Sequence, residues 1–115
     1  MKYGLKENDI KKINVVFANY PEVERALLYG SRSKGNYRNG SDIDLTLAGR
    51  NLSLDVLLKI ETDLDEIMLP YRIELSIFDN IDNPSLVEHI KRVRKEFYVK
   101  SLRKSLLRTK MFKHF

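Results

Sequence analysis

Asp42 and Asp44, separated by one residue, close the stretch GSRSKGNYRNGSDID at residues 30 to 44. On an extended chain, carboxylates two residues apart leave the same face about 7 Å apart. Like charges so placed repel, and they are tolerated in water, beside basic neighbours or around a divalent cation. Glu74, on a later alternating segment, adds a third carboxylate if that segment pairs beside the Asp42 strand. Together the three make an oxygen ligand set for two magnesium ions around a triphosphate, with manganese as a substitute. Upstream, Gly30 and Ser31 end an apolar run and open a turn whose N–H groups can face an anion. Gly30 admits a phosphate to the main chain, Ser31 offers a hydroxyl, and Arg32 and Lys34 bring charge. The aspartate pair alone also fits an exposed strand face. Its combination with Gly30, Ser31 and Glu74 points to a site.

These residues need elements to hold them. Ile10, Ile13, Phe17 and Tyr20 recur at helical spacing before Pro21, which predicts a helix over residues 8 to 19. Val23 to Tyr29 reads as a buried strand ending at Gly30. From Asp42 to Leu47 the chain alternates, with Ile43, Leu45 and Leu47 opposite Asp42, Asp44 and Thr46. Ser53 is placed to cap a helix bearing Leu54, Leu57, Leu58, Leu64, Ile67 and Met68, with Glu61 at the stripe's edge and Pro70 closing it. Tyr71 to Phe78 forms a third strand, with Arg72, Glu74 and Ser76 on its polar face. A last helix begins at Asn83-Pro84-Ser85 and carries Leu86, Ile90, Val93 and Phe97 on one face, with Leu102 and Leu106 as a continuation. The expected architecture is an α/β (α+β) domain, a small mixed sheet with helices on one face.

Composition narrows the chemistry. At 115 residues the chain is one domain with one core and no separate substrate domain. It has no cysteine, which excludes thiolate metal sites, and only two histidines, His89 and His114, so a multi-histidine site is not expected and a bound metal is expected to take oxygen ligands. His89 reads as structural. No apolar run reaches the roughly 18 residues of a membrane span and the N-terminus lacks the apolar core of a leader, which makes the cytoplasm the default compartment. The net charge of +5 hides an asymmetry: residues 91 to 115 hold ten Lys or Arg against Glu96 alone, so the first ninety residues are net acidic. Residues 1 to 98 read as the domain and 99 to 115 as a basic C-terminal helical extension or tail. That tail fits a solvated helix face, a docking surface for an acidic partner or a nucleic-acid footprint; without interleaved stacking aromatics, direct nucleic-acid binding is not expected.

Gly30-Ser31, a short basic loop with Gly35, then Ser41-Asp42-Ile43-Asp44-Leu45 resembles the signature of the DNA polymerase β nucleotidyltransferase superfamily. Within it the chain is most similar to the minimal nucleotidyltransferases, over about residues 8 to 98, including Asn83-Pro84-Ser85-Leu86 and Glu88-His89-Ile90. The resemblance implies the polymerase β palm-like fold, nucleotide binding by Gly30, Ser31, Arg32, Lys34 and Ser41, and catalysis with metal ligation by Asp42, Asp44 and Glu74. Glu74 stands where the family usually has Asp, and Ser33-Lys34 replaces the common Ala-Arg, keeping charge without the bidentate fork. The implied reaction is transfer of a nucleoside monophosphate, AMP from ATP, to a hydroxyl. Members of this size are commonly antitoxins, and the implied acceptor is a tyrosine of a partner HEPN toxin. A non-catalytic antitoxin that occludes its partner is the rival expectation, a small-molecule transferase a more distant one; homo-oligomer formation is compatible with either.

Overall fold

The computed structural model describes residues 1–100. In chain order these form α1 (Glu7–Ala18), β1 (Arg25–Tyr29), α2 (Gly30–Lys34), β2 (Ile43–Ala48), α3 (Leu54–Glu66), β3 (Ile73–Ile77), a 3-10 turn (Phe78–Asn80), α4 (Pro84–Val93) and β4 (Lys95–Val99). The strands make one mixed sheet in the order β3-β2-β1-β4. β1 is antiparallel to both β2 and β4, while β2 and β3 run parallel and are joined by the α3 crossover. Continuation of the last helix through Leu102 and Leu106, and the basic extension beyond residue 100, lie outside the described residues.

Helix boundaries follow local chemistry. Ser53 Oγ accepts the Val56 N–H at 3.3 Å and starts α3. Asn83 Oδ1 accepts the N–H groups of Ser85 and Leu86, and Pro84 fills the first turn of α4, where a missing N–H costs nothing. Helix α3 ends at Glu66, before the expected stop at Pro70, and Met68 follows at φ 51°. The α3 stripe also differs from its expected membership. Leu54 and Leu58 are exposed at 64% and 51%, and Ile60 and Leu64 are the buried pair.

The core lies between one sheet face and helices α1 and α3. Ile13, Val16 and Phe17 of α1 and Ile60 and Leu64 of α3 pack with Ala26, Leu28, Ile43, Leu45, Leu47 and Phe97 of the strands. Alternation then sends Leu27, Tyr29, Asp44, Thr46, Glu74 and Ser76 to the opposite face. There the Ser76 hydroxyl donates to Thr46 Oγ1 at 2.9 Å, satisfying a threonine with no exposed surface and locking the β2–β3 register.

The expected helix through Phe97 is corrected: α4 stops at Val93 and Arg94 turns extended, with ψ 143°. Residues 95 to 99 become β4 on the free edge of β1, making four strands where three were expected. A register break between Ala26 and Leu27 leaves Glu96 and Tyr98 opposite adjacent residues, with Phe97 extra between them. Phe97 and Tyr98 therefore both reach the core, Tyr98 lying 5.6 Å centroid to centroid from Phe17. Asn14 Nδ2 donates to the Phe97 carbonyl and ties α1 to this edge.

Candidate active site

Cross-strand pairing sets the site. Tyr29 of β1 is opposite Asp44 of β2, and Asp44 is opposite Glu74 of β3, so the three stand in one row on the sheet face away from the main core. Neighbouring strands lie about 4.8 Å apart, so Asp44 and Glu74 leave adjacent strands side by side. Asp42 sits one residue ahead of β2 and is exposed; the strand starts where the Ile43 N–H donates to the Arg72 carbonyl.

Directly after Tyr29, the chain folds into α2. Gly30 opens it at φ 74°, and a β-carbon built there would overlap Asp44 Oδ2. The turn thus has two reasons for glycine, left-handed backbone and the carboxylate that occupies the side-chain space. Ser31 follows, half-buried, at the head of α2, where no side chain caps the first turn. From the other side α4 brings His89, whose ring meets Tyr29 edge-on at 6.4 Å. The Ser33 hydroxyl donates to the Val93 carbonyl and binds α2 to the end of α4.

The electrostatics mark Asp44. Burial raises its carboxyl above the ordinary range, Asp42 and Glu74 push it further by repulsion, and His89 pulls it back. Tyr29 is also raised, first by burial, with Asp44 and Glu74 adding to it and Ser76 opposing. Negative charge is therefore gathered at the end of the sheet beside the α2 turn.

Asp44 and Glu74 on one row, with Asp42 just ahead of it, suit magnesium or manganese in ligand type, and the mutual repulsion felt by Asp44 is what a cation would relieve. They are not drawn together as a ready ligand group: among the described residues no three Asp, Glu or His side chains converge enough to hold an ion. Glu74 is engaged elsewhere, with its Oε1 2.8 Å from Arg72 Nη2. Asp42, Asp44 and Glu74 fit a cation by chemistry and position, with one Glu74 oxygen, Oε1, paired to Arg72.

The basic residues of the loop separate. Lys34 is exposed at the end of α2. Arg32, expected to bring charge to a phosphate, is 3% exposed and donates through Nε and Nη2 to the Ser41 carbonyl at 3.0 and 2.8 Å, and through Nη1 to the Tyr3 carbonyl at 2.9 Å. Ser41 Oγ accepts the Arg38 N–H at 2.8 Å, closing a turn over residues 38 to 41. Tyr29 and His89 were not singled out for the site from sequence. Tyr29 was within reach, because antiparallel pairing through the loop sets the residue before Gly30 opposite an aspartate; His89 depended on where α4 crosses.

The chain is similar to known proteins in family and in fold. The family model "Polymerase beta, Nucleotidyltransferase" matches residues 11–103. The fold is similar to that of a chain in a solved toxin–antitoxin structure with AMP-PNP, at 22% identity and TM-score 0.63, covering 96% of this chain and 89% of that one. It is similar also to a chain of the tri-AMPylated Shewanella oneidensis HEPN toxin in complex with MNT antitoxin, at 16% identity and TM-score 0.61, with 96% and 88% covered. A chain of the MntA-HepT toxin–antitoxin structure aligns at 17% identity and TM-score 0.60, over 95% and 88%. The comparison with curated proteins gave no match. With the family model spanning most of its length and the carboxylate row standing beside the Gly30-Ser31 turn, the chain belongs to the polymerase beta nucleotidyltransferase family.

Proposed function

We propose that the protein transfers a nucleoside monophosphate, AMP from ATP, to a tyrosine hydroxyl on a partner HEPN toxin and thereby acts as its antitoxin. The observation that carries this reading is the row of Asp44 and Glu74 ending at the Gly30-Ser31 turn, within a nucleotidyltransferase domain. Similarity to chains from toxin–antitoxin structures, one with AMP-PNP and one with an AMPylated HEPN toxin, supports the choice of nucleotide and partner.

In this reading Gly30 and Ser31 hold the phosphates, Ser41 ends the turn that leads into the carboxylates, and Lys34 supplies charge from the exposed end of α2. The acceptor oxygen bonds to the α-phosphorus as the bond to the bridging oxygen breaks; pyrophosphate leaves and the hydroxyl proton is released. Asp42, Asp44 and Glu74 would hold divalent magnesium, which supplies neutralisation of the triphosphate and a more acidic acceptor hydroxyl. Asp44, placed against Gly30, fixes where that charge stands relative to the phosphate turn.

The test is label transfer from ATP to a co-expressed helical partner in the presence of magnesium. Label should appear on the partner's tyrosine and vanish with Asp44→Asn. Neutralisation of the partner that survives both Asp42→Asn with Asp44→Asn and removal of ATP would replace this reading with occlusion alone.

A further inference from the structure

Arg32 is the one buried cation among the described residues. It has no carboxylate within ion-pair distance among them. Burying a charge without an ionic partner is costly unless other groups take up its field. Here two backbone carbonyls accept three N–H bonds, and two aromatic faces flank the guanidinium, with Tyr37 at 5.3 Å and Tyr71 at 5.1 Å from its central carbon. The planar fork is what permits Nε and Nη2 to meet one oxygen while Nη1 reaches another.

The partners lie on separate parts of the chain. Arg32 follows the Gly30-Ser31 turn; Ser41 immediately precedes Asp42; Tyr71 precedes β3 and its Glu74. Tyr3 belongs to an N-terminal turn whose two central residues, Tyr3 and Gly4, both take positive φ, and a β-carbon on Gly4 would overlap Tyr37 and crowd Arg32 Nη1. That turn is shaped to deliver the Tyr3 carbonyl and to leave room for the stack. One side chain therefore joins the phosphate turn, the start of the carboxylate strand and the approach to the third carboxylate.

We propose that Arg32 is a positioning residue, a strut that fixes the phosphate turn relative to Asp42 and Asp44, and that it does not contact the nucleotide. This rests on the nucleotidyltransferase reading above for its activity readout, and on geometry alone for its structural one.

The experiment compares Arg32→Met and Arg32→Lys with Ser31→Ala in the full chain, measuring turnover, magnesium-ATP affinity by calorimetry, and amide hydrogen exchange over residues 38 to 42. A strut predicts that turnover falls about 10- to 100-fold in both Arg32 variants while ATP affinity changes less than about 3-fold, because misplacement costs the transition state more than the ground state. Exchange at residues 38 to 42 should quicken. Lysine should not rescue, since it keeps charge and loses the fork. ATP affinity about 10-fold weaker in Arg32→Met, restored by lysine, with exchange unaltered, would overturn the proposal and make Arg32 a phosphate ligand. If the Arg32 variants fail to fold, Tyr37→Leu removes one side of the stack and leaves the carbonyl bonds; it should move turnover and exchange in the same direction, and unchanged values in both would overturn the strut. A wild-type chain that neither binds nor transfers nucleotide defeats the enzymatic reading, and the exchange measurement then decides the strut by itself.

Discussion

Asp44 Oδ2 lies against the α-carbon of Gly30, in the space that a side chain there would fill. The contact couples the first residue of α2 to the middle carboxylate of the candidate site, across the β1–β2 pair. Gly30→Ala must therefore do two things, strain a backbone at φ 74° and displace Asp44. A loss of about 1–3 kcal/mol in stability is expected from the backbone, and about 100-fold in transfer from a carboxylate moved by an ångström. Chemical denaturation and label transfer on the same preparation measure both.

Asp44→Asn should separate activity from stability. The Asp44 carboxyl is raised by burial and by repulsion from Asp42 and Glu74, so its ionised form opposes folding. For a group raised in this direction, the wild type gains stability as pH falls through the folded-state value. The asparagine variant lacks that gain, so it should exceed the wild type by up to about 1 kcal/mol at neutral pH after allowance for solvent screening, and the excess should shrink in acid. Thermal unfolding across that range checks the slope; transfer should be abolished throughout.

Tyr20 offers a second titration, away from the site. Its hydroxyl donates to Asp63 Oδ2, joining the segment after α1 to α3, and this bond with the neighbouring negative charge raises the phenol to about 12. A raised acid is favoured in its protonated form, so this contribution is complete below the ordinary tyrosine value of about 10 and is lost as pH climbs from there towards 12. In Asp63→Asn, ultraviolet phenolate titration should show one tyrosine moving down towards the ordinary value, and the alkaline loss of stability should lessen.

β4 should prove part of the fold. Phe97 is buried in the core cluster, whereas Leu58 of α3 is half exposed. Phe97→Ala should cost about 3–5 kcal/mol and Leu58→Ala no more than about 0.5 kcal/mol. Equilibrium urea unfolding measures both, and a Phe97→Ala cost as small as that of Leu58→Ala would place residue 97 outside the core.

Much of the candidate site's placement is legible because it follows from period-two alternation and from glycine. By that logic Asp42, Asp44 and Glu74 belong to one sheet face, and pairing sets Asp44 beside Glu74. What escaped depended on geometry that a linear pattern does not contain. β4 was hidden because its bulge puts Phe97 and Tyr98 both towards the core, and because Phe97 falls four residues after Val93 as a helix would place it. The environment of Arg32 was invisible for a different reason: its acceptors are backbone carbonyls at Tyr3 and Ser41, and any residue type provides those. Leu54 and Leu58 misled because leucine favours helices by propensity even where it faces water.

The parallel pairing of β2 with β3 has a consequence for how this chain tolerates change. Asp44 and Glu74 are thirty positions apart in sequence, yet their separation is set by one strand-to-strand step and by the Thr46–Ser76 hydrogen bond. The crossover between them, residues 49 to 72, spans this gap without defining it. Lengthening its connections at residues 49 to 52 should leave the two carboxylates in place, at a loop-closure cost that grows only slowly with length. A single-residue shift within β3 would instead turn Glu74 towards the α3 side and Leu75 towards the site. Insertions and deletions are therefore filtered by where they fall: the connections are permissive to length, and the five residues of β3 are not.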